Sequence, residues 1–231
     1  MKPFIAITLA ALGLSVAFVP LASADPAPTR LRGTITTLNP QSLVVHTRDD
    51  KDITVTLDDQ THYAAVVKSS LDNLKEGSYI GTATKEIGSK LIALEVSIFP
   101  PEMRGAGEGH YAWDKISDTT LSAGAATASA MTNGNVATVT SSGETDVNSA
   151  MTNGNVTTAA AKGGLTVLNV TYKGGEQTVL VPPTAPIVAL QAGTKADLAA
   201  GAGIFIVAIQ DGDNTTAKLI AVGKDGVVPP M

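Results

Sequence analysis

The strongest constraint on this chain is an internal likeness: the stretch from Thr54 to Val96 has a second copy near the C-terminus, from Thr178 to Val222. At a constant offset Thr54, Val55 and Leu57 meet Thr178, Val179 and Val181, while Leu74 and Gly77 meet Leu198 and Gly201. Self-similarity on this scale outranks local propensity, because a missed repeat miscalls the whole architecture. Beyond the glycines the alignment continues by matching Leu91-Ile92-Ala93-Leu94 to Leu219-Ile220-Ala221-Val222. That choice puts an insertion into the polar turn before Leu219, where extra length is tolerated.

Around the repeat, short β-branched runs punctuated by turn residues predict strands. In the first copy these are Gly33 to Leu38, Ser42 to Thr47 and Asp52 to Leu57, then "SYIGTAT" and "KLIALEVSIF". Between the third and fourth runs lies a crossing without alternation, ending in "SSLDNLKEG". There Ser70 is a candidate cap for one helical turn and Gly77 a candidate stop. The second copy repeats the order with Leu165 to Lys173, Gln177 to Pro182, Ile204 to Ile209 and Lys218 to Gly223. Three strands, a crossing and two strands is the order of the five-stranded oligonucleotide/oligosaccharide-binding (OB) barrel, whose closure removes exposed sheet edges. Leu74 and Leu198, each just before a fourth strand, are the expected plugs of two barrel ends. The expected fold class is all-β, two tandem small five-stranded OB-like barrels joined by a Gly-rich and low-complexity linker.

The expected boundaries follow from composition. Lys2, the apolar run Phe4 to Val19 and the small residues Ala22-Ser23-Ala24 read as a secretory signal peptide over residues 1–24. The apolar run is shorter than the ~20 residues of a membrane-spanning helix. A Pro-rich leader, expected to be disordered, covers 25–31; the first barrel 32–99; a linker 100–154; the second barrel 155–226; and a tail 227–231. Inside the linker "SAMTNGNV" occurs twice, at Ser129 to Val136 and Ser149 to Val156. Either copy is a candidate first strand for the second barrel.

Several kinds of chemistry are disfavoured. The chain has no cysteine, so disulfides, thiolate nucleophiles and thiolate metal sites are out. Its formal charge of −5, or −6 without Lys2, opposes a nucleic-acid groove, which needs clustered Lys and Arg. One Trp and four Tyr make poor stacking platforms. No nucleophile elbow, HExxH or phosphate loop is present. The segment "PPEMRGAGEGHYAWD" (100–114) is the richest remaining stretch. Glu108 and His110, two apart, project to one side of an extended chain, and Glu102 can reach them from a turn, which makes the three a candidate site for a divalent metal ion. Arg104, Tyr111 and Trp113 are the candidate ligand-binding side chains of the same segment. Alternatively the whole segment is a linker whose aromatics pack on a barrel.

At "LKEGSYIGTATKEIGSKLIALEVSIFPPEMRGAGEGHYAWD" and "GKDGVVPPM" the chain resembles an uncharacterised family of exported proteobacterial proteins built of repeated OB-like domains of unknown function. Some members are labelled metal ABC transporter permease, but this sequence lacks the transmembrane segments of a permease. The resemblance covers most of the mature chain and implies a bacterial, periplasmic protein without established catalytic residues. The expected function is a non-enzymatic binding or scaffold protein that engages a protein or small ligand, with no cofactor, no nucleic acid and no membrane span after signal cleavage. The alternative is a metal-handling accessory protein using the Glu108/His110 loop.

Overall fold

The computed structural model describes residues 28–121, 125–141 and 164–229. The signal segment and the second SAMTNGNV copy lie outside them. In chain order the first half forms strands β1 (Pro28–Asn39), β2 (Ser42–Thr47), β3 (Asp52–Thr56), β4 (His62–Lys68), β5 (Tyr79–Ile87) and β6 (Lys90–Ile98). A connecting region holds β7 (Gly109–Ala112), β8 (Ile116–Ser117) and β9 (Ala126–Thr127). The second half forms β10 (Ala130–Ser141), β11 (Thr166–Tyr172), β12 (Gly175–Val181), β13 (Ile187–Ala192), β14 (Gly203–Asp211) and β15 (Asn214–Gly223). Single 3-10 turns at Leu71–Asn73 and Lys195–Asp197 precede β5 and β14. The protein is all-β.

The two tandem barrels expected from the sequence are not what forms. One 13-stranded sheet runs β12-β11-β10-β5-β6-β13-β4-β15-β14-β1-β2-β3, with β7 added on β10. Near each end the sheet curls back. Parallel pairing joins β12 to β6 through Val179–Leu91 and Leu180–Ile92, and joins β3 to β15 through Thr56–Thr216. Each end is thus a ring of five strands drawn from both halves. The first ring holds β1, β2 and β3 with β14 and β15; the second holds β10, β11 and β12 with β5 and β6.

The same local devices build both rings. Ile35 N–H donates to Ala202 O and accepts at its carbonyl from Gly201 N, at 3.0 and 2.8 Å; Val136 makes the matching pair with Ser78 and Gly77, both at 2.8 Å. Bulges follow Ile35 in β1 and Val136 in β10, where the extra residue bends the strand around its ring. Two positions before Ile35 and Val136 stand Gly33 and Gly134, where a Cβ would sit 2.1 Å from His46 O and 2.3 Å from Thr171 O. Only glycine admits so close an approach. The cores mix the halves as well: Leu198, Ile204, Ile206 and Ile220 pack with Ile35, Leu43, Val45 and Val55, while Leu74, Ile80 and Val96 pack with Val136, Leu168, Val170 and Val179. Leu74 and Leu198 are buried, each in a ring whose first three strands come from the other half.

Four further expectations are corrected. The crossing contains a strand, β4, whose central Ala64, Ala65 and Val66 are buried in succession, so period-two alternation is absent. A strand covered on both faces reads as a continuous apolar run. The turn before β15 carries no insertion: Ile87 pairs with Lys90 and Asp211 with Asn214, and bulges after Ala83 and Val207 coincide. Glu95 therefore corresponds to Leu219, opposite Ala83 and Val207 respectively. The expected disordered leader is strand from Pro28, with Leu31 buried. Finally, the second half starts with the upstream SAMTNGNV copy inside β10, well within the region read as linker, which pairs with both β5 and β11.

The octamer supplies the buried Met131, Thr132, Asn133 and Val136 of β10, and the downstream octamer has the same eight residues. Deleting Ser129 to Asn148 joins Ala128 to that second copy and replaces Val139, partly buried against the second core, by Ala159. We expect a folded protein whose Tm is lowered by about 2–8 °C, the cost of ~1–2 kcal/mol in a domain of this size. Differential scanning calorimetry that finds no cooperative transition in the deletion variant would contradict this assignment of β10.

Candidate functional site

The segment singled out from sequence is bound into the structure along its whole length. Arg104 donates to Asn135 Oδ1 and, at 2.7 Å, to Gly77 O, stitching the turn before β5 to β10. Tyr111 Oη donates to Gly107 O and accepts from Asn133 Nδ2 at 3.1 Å, and its ring meets Trp113 edge-on at 5.9 Å. Glu108 Oε1 accepts the Lys173 amide at 3.0 Å, and His110 Nδ1 lies 2.8 Å from Thr132 Oγ1. Glu108 is held by the turn between β11 and β12 and His110 by β10, and Glu102 stands exposed on the 3-10 turn Pro101–Met103. Among the described residues no three His, Asp or Glu side chains are grouped to hold a metal ion.

Trp113 is the hub of this segment. It packs on the cluster of Ala83, Leu94, Ile116 and Met131, and Arg30 lies 4.0 Å over its ring. Arg32 stands 5.7 Å from the same ring and 5.0 Å from Phe205. Asp114 closes the group, accepting from Arg32 at 2.7 Å and from Arg30 at 3.1 Å. Burial alone would raise the Asp114 pKa, but the hydrogen bonds and charges of the two guanidinium groups outweigh it and hold the carboxyl below its ordinary range. The linker is thereby clasped to β1, with cation–π and ion-pair terms acting together.

Two cavities among the described residues lie elsewhere, and they correspond to one another. One, of about 750 Å³, is lined by Pro40 and Gln41, by Thr56, Leu57, Asp58, Asp59, Thr61 and Tyr63, and by Lys195. The other, of about 580 Å³, is lined by residues 182–188 together with Leu71, its neighbours Lys68 to Ser70, and Val227 and Val228. In each, the turn leading from the third to the fourth strand of one half faces the 3-10 turn of the other half. Their linings differ: Asp58, Asp59 and Lys195 in one, Pro182, Pro183 and Leu71 in the other.

The polar cleft is braced from behind. Gln60 N donates to Asp58 Oδ1 at 3.0 Å, and Thr61 Oγ1 accepts from Asp58 N and donates to Ala217 O of β15. Burial pulls the Asp58 pKa upward, yet the Thr61 and Gln60 hydrogen bonds and the Lys218 charge lower it overall, so the group is a carboxylate. Tyr63 is raised, first by burial and then by Asp58. Lys195 Nζ donates to Pro40 O and fixes the far wall. Sequence reading missed this cleft, because Asp58-Asp59 and Lys195 are brought together only by the exchange of strands between halves.

Comparison with known proteins leaves the structure to speak alone. No family model matches this chain, and neither the curated proteins nor the solved structures give a match.

The clasp makes a test of the linker's role. Because the folded pKa of Asp114 lies below its ordinary value of 3.8, its contribution is present above that pH and is lost as pH falls through the folded value. Asp114→Asn is expected to melt below wild type at pH 7, with the two melting curves converging below about pH 4. A constant Tm difference across that range would show that Asp114 does not act through its charge.

Proposed function

We propose that this protein is a non-enzymatic, exported binding or scaffold protein of the periplasm, built from two copies of one OB-like unit that have exchanged their last two strands. The pair of corresponding clefts carries the reading. A unit used twice supplies the same concavity twice, and the two linings have diverged toward different ligand chemistry. The braced polar cleft, with carboxylates on one wall, an ammonium on the other and the partly buried Tyr63 ring between them, suits a small polar solute with both hydrogen-bond donors and an acceptor. The N-terminal charge, apolar run and small-residue site support export. The side chains of Glu108 and His110 are engaged by Lys173 and Thr132, so the binding reading rests on the cleft and not on that loop.

A thermal-shift screen of the mature protein tests the reading. The panel consists of amino acids, dipeptides, sugars, polyamines and small organic acids at millimolar concentration. At least one compound is expected to raise Tm in wild type, with the shift abolished in Asp59→Asn/Lys195→Ala. Shifts that survive the double substitution, or none across the panel, would contradict a binding role for this cleft.

A further inference from the structure

The two halves differ sharply at one strand position. Leu219 on β15 sits opposite Val207 and packs into the apolar cluster at the middle of the sheet. The corresponding residue on β6, opposite Ala83, is Glu95. It is 4% exposed, and its Oε1 has no hydrogen-bond partner. Two residues along the same strand the hydroxyl of Ser97 is also buried without a partner. β6 belongs to the second ring, whereas the charged groups that act on Glu95 come from the first: Arg32 on β1 and Arg48 in the turn after β2. Arg32 is already bound to Asp114 and stacked near Trp113 and Phe205, and Arg48 N donates to Arg32 O at 3.3 Å.

From this placement we infer that Glu95 is a pH-sensitive switch in the seam between the two rings, neutral when the seam is closed and loosening it on ionisation. A buried carboxylate without a donor is expensive to hold, and the group relieves that expense either by keeping its proton or by admitting water. Burial is the larger influence and pushes Glu95 up to about 8; Arg32 and Arg48 oppose it without cancelling it. The folded value lies above the ordinary carboxylate value of 4.5, so folding retains a proton between those two pH values. The stabilisation from the neutral group is therefore complete below about pH 4.5 and is lost as pH rises toward 8. Acidification tightens the seam, and alkaline conditions loosen it.

The test compares the full mature chain with Glu95→Gln, which keeps the shape and removes the titration, from pH 4.5 to 8.5. The Tm of Glu95→Gln minus that of wild type is expected to grow steadily across this range. Over the same range the hydrogen-exchange protection of β1 and β6 amides should fall in wild type more than in the variant. Glu95→Leu, which copies the residue at the corresponding position of the other half, serves as a second non-titrating reference should Glu95→Gln fail to fold. Parallel Tm profiles for wild type and the non-titrating reference overturn the proposal, as does a difference that shrinks with rising pH, which would mean that Glu95 is ionised and held by Arg32 and Arg48.

Discussion

The antiparallel pairing of β4 with β13 decides the shape of everything around it. Val66 faces Leu190 at the centre of that ladder, with Lys68 opposite Val188 and Ala64 opposite Ala192 on either side. These two strands are the crossing segments of their respective halves. Once they lie side by side, the chain that follows each of them is delivered to the far side of the pair. β5 and β6 must then join β10, β11 and β12, and β14 and β15 must join β1, β2 and β3. β15 divides one edge between β3 and β4, at Thr216 and at Leu219 to Gly223, and β6 does the same with β12 and β13. The sheet is continuous because the crossing strands are part of it.

This arrangement explains where the polar groups gather. The apolar cluster around the central pair joins Val66, Val188, Leu190 and Phe205 with Phe99, Met103 and Trp113 from the connection between halves. Within that connection β7 pairs with β10 and, among the described residues, has no counterpart on β1, so the two rings have unequal surroundings. The connection also supplies Trp113 and Asp114, which clasp Arg30 and Arg32 of β1. Arg32 is largely buried while Arg30 and Asp114 are only partly so, and an ion pair of this kind fixes an arrangement more than it adds stability. Here the clasp fixes a connecting segment that would otherwise be a Gly-rich tether.

Strand positions were largely legible in the sequence, since β2, β3, β5, β6, β11, β12, β14, β15 and the part of β1 from Gly33 onward fall on the β-branched runs and their turns. Their partners were not. When two halves carry the same pattern, pairing within a half and pairing between halves satisfy the same local rules, and only the crossing residues discriminate. Those residues, Ala64 to Val66, lack alternation because both their faces are covered, so β4 passed for a loop. The matching of "LIAL" to "LIAV" misled because apolar identity outweighed register: by strand pairing Leu219 corresponds to Glu95, beyond the "LIAL" run. Arg104, Tyr111 and Trp113 were recognisable as unusual residues, and the structure places them as fastenings between elements. The polar cleft, assembled from Asp58, Asp59 and the distant Lys195, had no signature along the chain.

The exchange of strands between halves is the claim on which the rest stands, and nuclear Overhauser contacts between backbone protons report it directly. In the isotope-labelled protein the account predicts cross-strand contacts from Leu31 and Gly33 of β1 to Ile206 and Ile204 of β14, and from Thr132 of β10 to Thr82 of β5. Contacts running instead from β1 to β5 and from β10 to β14 would mean that each half closes on itself, and would contradict it.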